Sequence, residues 1–138
     1  MELYLDSANM KEIEHAFELG FLTGLTTTPT FFHKEGKKVA KTLIQDLVDI
    51  AKLVHIEALG ETPQKIEEEV CRLLDGGISP SQLVFKIPIN FVGLQAASKL
   101  ANAGIRINIH LVYTVQQAYL ALRAGAEYVC LLVGRGED

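Results

Sequence analysis

Short apolar runs alternate with longer segments of helical periodicity from one end of the chain to the other. That alternation limits the possible folds more than any other feature. Leu3-Tyr4-Leu5 is the first run, closed by Asp6-Ser7. Ser7 or Asn9 is placed to cap a helix in which Ile13, Ala16 and Phe17 repeat at helical spacing, with Gly20 as its stop. Gly24-Leu25-Thr26-Thr27 reads as a second strand that must end before Pro29. A helix is expected over 37–53, then a strand over Leu53–Ala58. Thr62-Pro63 opens a helix with proline at its first position, where the missing N–H costs nothing; it runs to about Asp75, before Gly76-Gly77. Leu83–Ile89 is the fourth strand, 91–103 a helix ending at Gly104, and Arg106–Val112 the fifth strand. A helix over 114–124, ending at Gly125, and a strand over Tyr128–Val133 complete the pattern.

Strands that alternate with helices pair in parallel through right-handed crossovers. No Gly-rich phosphate fingerprint follows the first strand, so a dinucleotide-binding fold has no specific support. The other common solution is a parallel (β/α) barrel, which ordinarily has eight units and about 250 residues. Six strands in 138 residues imply an incomplete α/β barrel, 1–138, as a single domain. Its first and sixth strands would be edges, and exposed edges invite pairing with another chain. A homo-oligomer joined through those edges is therefore expected, with an open six-stranded sheet as the alternative.

Charge and cysteine usage narrow the classes further. A net charge of −4 leaves no electrostatic footprint for nucleic acid, and Lys37-Lys38 is too small a cluster for a membrane surface. The opening MELYLDSAN has no basic region, and no long apolar stretch follows, so neither a signal peptide nor a transmembrane helix is expected. Cys71 and Cys130 lie far apart without metal-type spacing; a reducing cytoplasm and no metal are the expectation.

In parallel α/β proteins chemistry gathers at the carboxyl ends of the strands. The chain delivers Asp6, then Thr26, Thr27 and Thr28, then Glu57, Lys86, Asn108 with His110, and Arg135. Lys86 is the outlier, because it interrupts the apolar run LVFKIPIN. Alternation puts Val84, Lys86 and Pro88 on one face and Phe85, Ile87 and Ile89 on the other. Burial disfavours an ammonium, and a neutral amine can attack a carbonyl to form a Schiff base. Asp6 or Glu57 could then move protons. Plainer readings stand beside this one. Lys86 could form a structural ion pair with Glu57 or Asp6. Asp6 could cap the first helix. Asn108 and His110 share a face and could be satisfied polar contacts, as Glu57 shares a face with His55. Arg135 could be an ordinary solvated side chain, and Cys130 a small buried hydrophobe.

The ordered set of motifs resembles the transaldolase family, in its small-barrel branch that includes fructose-6-phosphate aldolase. MELYLDSAN is similar to the family's first strand with its catalytic aspartate, and GLTTTPT to its T-T-N-P-[ST] signature. HIEAL is similar to the third strand, which holds a glutamate, or a glutamine in the aldolases. LVFKIPIN resembles the V-K-[IV]-P strand with the Schiff-base lysine. INIHLVYT resembles N-[VI]-T-L-[VI]-[FY], and AGAEYVCLLVGR the sixth strand with its closing arginine.

The resemblance implies Schiff-base carbon–carbon cleavage or transfer on a ketose phosphate or a small hydroxyketone, within carbohydrate metabolism and the pentose phosphate pathway, without cofactor or metal. Lys86 would be the nucleophile, Asp6 the proton carrier at the substrate hydroxyl, and Glu57 the residue that positions the catalytic water. Thr26, Thr28, Asn108 and Arg135 would bind substrate. Departures are local. Thr28 stands where the family has asparagine, His110 where it has threonine, and Asn90 where a threonine is common. Cys130-Leu131-Leu132 replaces a Ser/Ala-Pro-aromatic segment. His110 could take over the orientation or deprotonation of water, a task suited to imidazole. Glu57 leans towards transaldolase. The competing reading is a truncated relative, catalytically weak or inactive, that serves as a binding or interaction scaffold or is a fragment.

Overall fold

The computed structural model describes residues 1–27 and 41–134. Six strands form one parallel sheet in chain order: β1 (Tyr4–Asp6), β2 (Gly24–Thr27), β3 (Val54–Glu57), β4 (Leu83–Pro88), β5 (Ile107–Val112) and β6 (Tyr128–Leu131). Helices α1 (Met10–Phe17), α2 (Lys41–Ala51), α3 (Pro63–Leu74), α4 (Phe91–Asn102) and α5 (Val115–Arg123) lie between them among the described residues. A 3-10 turn, Pro80–Gln82, leads into β4. This is the expected incomplete parallel (β/α) barrel, an open half-barrel whose edges are β1 and β6.

Strand periodicity divides the sheet into two unlike faces. Leu25, Val54, Ile56, Leu83, Phe85, Ile87, Ile107 and Ile109 face the helices and are buried. They pack with Ile13 of α1, Leu47 of α2, Val70 of α3 and Ala97 of α4. Each large side chain so buried contributes roughly 1.5–3 kcal/mol, which makes this layer the main source of stability. The alternate residues form the concave face. The middle strands β3 to β5 are buried on both faces, so the polar residues His55, Lys86, Asn108 and His110 that interrupt their apolar runs are themselves buried.

Local signals set the helix starts. Asn9 Oδ1 accepts from Lys11 N at 3.0 Å, so Asn9 caps α1 and Asp6 does not. Thr62 Oγ1 accepts from Lys65 N at 3.2 Å ahead of Pro63 at the start of α3. Asn90 Oδ1 accepts from Gly93 N at 2.7 Å at α4, and Thr114 with Gln117 forms a capping box at α5. Gly93 is required by close approach: a Cβ there would run into the Pro88 carbonyl oxygen, so α4 sits directly on the end of β4.

Most strand ends lie within a residue of expectation, and three differences stand out. Lys52 has φ 63°, which ends α2 at Ala51 and delays β3 to Val54; the expected first turn, 37–40, lies outside the described residues. Leu111 also has φ 63°, at a register irregularity between Ile109 and Val112 against β6. This bulge comes directly after His110. β6 stops at Leu131, short of Val133.

Candidate active site

The concave face carries two layers of side chains. The first, towards the amino ends of the strands, is aromatic. His55 stands between Tyr4 and Tyr128, with ring centroids 4.9 Å and 4.6 Å away. Both pairs are edge-to-face, the favoured arrangement for aromatic rings. The Tyr4 and Tyr128 hydroxyls are 3.4 Å apart, so the sheet curves enough for side chains of its two edge strands to meet. Gly24 leaves the space that Tyr4 fills; a Cβ would lie 2.9 Å from Tyr4 Cε1. Arg106 fastens the layer from β5's side. It grips Glu127 through two bonds of 2.9 and 2.7 Å and donates to the Tyr128 hydroxyl at 3.2 Å. Burial, then the hydrogen bonds to Tyr128 and Glu2, push the Tyr4 phenol well above its ordinary range.

The second layer is polar. Pairing sets Glu57 beside Lys86 and Lys86 beside Asn108, while Asp6 pairs with Thr26 and Thr26 with His55. His110, partner of Pro88, follows on β5. Lys86 is 6% exposed, and its Nζ donates to Thr26 Oγ1 at 3.1 Å across β3. It forms no salt bridge among the described residues. Glu57 is engaged elsewhere: His110 Nε2 lies 3.1 Å from its Oε1. That contact is close but not aligned as a hydrogen bond: His110 Nε2 has no partner of bonding geometry among the described residues. Asn108 Nδ2 lies 3.1 Å from His55 Nδ1, which leaves Asn108 Oδ1 buried and without a partner among the described residues. Burial above all, and then the positive charges of Lys86 and Arg106, lower His55 to about 4, so its ring is neutral at ordinary pH.

The structure therefore brings together Lys86, Glu57, Thr26, Asn108 and His110 on one concave surface. Asp6 lies on the neighbouring edge strand and is exposed. Thr28 and Arg135 lie outside the described residues. The ion-pair reading of Lys86 is replaced by the hydrogen bond to Thr26. Cys130 is exposed rather than buried, because nothing beyond β6 covers it among the described residues. His55, Tyr4 and Tyr128 form a floor that site reasoning from sequence passed over; the shared parity of His55 and Glu57 was its one signal.

A separate cavity of about 440 Å³ opens between α3 and α4, lined by Pro63, Gln64, Phe91, Leu94, Gln95 and Lys99 among others. None of the concave-face residues lines it. Among the described residues no group of three His, Cys, Asp or Glu is placed to hold a metal, and no helix is long and apolar enough to cross a membrane.

Comparison with known proteins agrees with this arrangement. The family model described as Transaldolase/Fructose-6-phosphate aldolase matches residues 3–138. A "Probable transaldolase" of Dictyoglomus turgidum is 41% identical over 139 residues, covering 100% of this chain and 63% of the relative. Another from Pelotomaculum thermopropionicum is 37% identical, again over 100% of this chain and 63% of the relative. "Probable transaldolase 2" of Bacillus anthracis is 34% identical over 145 residues, covering 64% of its own length. The chain thus spans less than two thirds of the length of these relatives. A provisionally assigned phosphonomutase from Burkholderia cenocepacia J2315 shares the fold, with a TM-score of 0.63 over 94% of this chain and 68% of that one, at 12% identity. Because the family match runs almost from end to end and the relatives align along the whole chain, the protein belongs to the transaldolase/fructose-6-phosphate aldolase family.

Proposed function

We propose that the chain cleaves or transfers carbon–carbon bonds of ketose phosphates or small hydroxyketones through a Schiff base on Lys86. The observation that carries this reading is a lysine 6% exposed whose only hydrogen bond among the described residues is to a neutral hydroxyl, Thr26. Buried charges are ordinarily paired, and a lysine kept in such a place without a carboxylate has a chemical rather than a structural use.

The Nζ amine adds to the ketone carbon, and the carbonyl oxygen takes up protons and leaves as water, giving an iminium. Glu57, with His110 against it at 3.1 Å, positions that water and exchanges protons with it. Asp6 takes the proton of the hydroxyl on the carbon one bond beyond the α carbon. The bond between those two carbons breaks, its electrons pass to the iminium nitrogen, and an aldehyde departs from the resulting enamine. Addition of the enamine to a second aldehyde is transaldolase chemistry; protonation at carbon and hydrolysis is aldolase chemistry. Asn108 hydrogen-bonds the substrate, and Thr28 and Arg135 complete the substrate contacts. No cofactor or metal enters these steps.

Release of glyceraldehyde 3-phosphate from fructose 6-phosphate, with and without an added aldehyde acceptor, tests the assignment. Release that needs the acceptor marks a transaldolase, and release without it marks an aldolase. No release in either case favours the scaffold reading. Association through the sheet edges is supported by exposed Leu131 at the end of β6 and exposed Val133 beyond it. Light scattering that gives a monomer at every concentration contradicts that part.

A further inference from the structure

The layer beneath Lys86 contains a polar residue for which the chemistry above has no task. His55 is 3% exposed, is held between Tyr4 and Tyr128, and lies 3.1 Å through Nδ1 from Asn108 Nδ2. With the Asn108 NH2 facing Nδ1, the neutral ring accepts there and carries its proton on Nε2, which is itself buried without a partner among the described residues. An amide turns over easily when nothing holds it, so the partner of its NH2 decides where its carbonyl oxygen faces. Here the NH2 is tied to the floor, while Oδ1 is buried and without a partner among the described residues. Asn108 is also the direct strand neighbour of Lys86. A buried acceptor left unsatisfied beside the nucleophile is relieved when a ligand supplies a donor.

We propose that His55 is a positioning residue. By accepting from Asn108 Nδ2 it presents Asn108 Oδ1 to the space beside Lys86, as acceptor for a hydroxyl on the carbon next to the ketone. The site then selects α-hydroxyketones over ketones without that hydroxyl. The inference rests on the Schiff-base reading of Lys86.

Hydroxyacetone and acetone differ by that single hydroxyl. Each is reduced with borohydride onto the full chain below saturation, and the adduct on Lys86 is read by mass. His55→Phe is expected to lower the ratio of hydroxyacetone to acetone adduct about tenfold, the worth of one hydrogen bond. His55→Asn, whose Oδ1 can replace Nδ1 as acceptor, restores the ratio. His55→Phe adds nothing in an Asn108→Ala background. An unchanged ratio in His55→Phe, an equal fall for both ketones, or a further fall in the double variant overturns the proposal. No adduct from either ketone in the unaltered chain overturns the Schiff-base reading and this proposal with it; adducts with an unmoved ratio overturn the positioning alone. If His55→Phe does not fold, the 15N shifts of the His55 ring decide. A proton on Nε2 is expected, and a proton on Nδ1 contradicts the arrangement.

Discussion

His110 Nε2 lies 3.1 Å from Glu57 Oε1, and the two side chains are only 9% and 11% exposed. A carboxylate and an imidazole from the two strands that flank Lys86 are thus held together, since Glu57 and Asn108 are its strand neighbours and His110 is two residues beyond Asn108. Glu57→Leu keeps the bulk and removes both the charge and the hydrogen bonds to water. It is expected to slow cleavage of fructose 6-phosphate about 100-fold, within the range for loss of a general acid–base group. His110→Thr should cost less, since a hydroxyl can still hold water. Equal rates for Glu57→Leu and the unaltered chain would remove the pair from the chemistry.

Lys86 should be a burden on stability. An amine 6% exposed, with a single hydrogen bond among the described residues, is less favourable in a packed interior than an unbranched apolar chain of similar size. Lys86→Met is expected to leave stability unchanged or raise it by about 1–2 kcal/mol, while activity is lost. Chemical denaturation checks this, and a loss of stability of that size would show a structural lysine instead.

His55 gives the fold a pH dependence of known sign. Its folded value, lowered to about 4, lies below the unfolded value near 6.5. The unfolded chain therefore binds a proton first as pH falls. Stability linked to this ring is complete above about pH 6.5 and is lost as pH falls from there to about 4, on the order of 3 kcal/mol in all. Tyr4 and Tyr128 face the ring, Lys86 and Arg106 disfavour its charged form, and Glu127 opposes them. In His55→Asn that part of the pH slope should vanish, whatever the starting stability. Parallel slopes for the two chains between pH 6.5 and 4 would contradict a buried neutral imidazole.

Much of this site was legible in the sequence, for a simple reason. In a parallel strand successive side chains face opposite ways, so His55 with Glu57, Lys86 with Val84, and Asn108 with His110 had to share the concave face once the strands were in register. Their neighbours Ile56, Phe85, Ile87 and Ile109 are all buried on the other side, as the alternation requires. What alternation cannot give is contact across strands. The bond of Lys86 to Thr26 spans two strands, and the bond of Asn108 to His55 joins residues 53 positions apart. The pairing of Tyr4 with Tyr128 depends on curvature of the whole sheet. The bulge at Leu111 is equally hidden, because leucine carries no signal for a left-handed backbone. Asn9 was readable as a cap beside Ser7 and Asp6, but not that it would take the role alone and leave Asp6 free of it.

Imine formation at Lys86 is read most directly by trapping. The full chain is incubated with fructose 6-phosphate or dihydroxyacetone, reduced with borohydride, digested and weighed by mass spectrometry. One added ketose fragment per chain is expected, on the peptide that contains Lys86, and none in Lys86→Ala. An unmodified Lys86 under saturating substrate, or equal labelling of the Lys86→Ala chain, would contradict it.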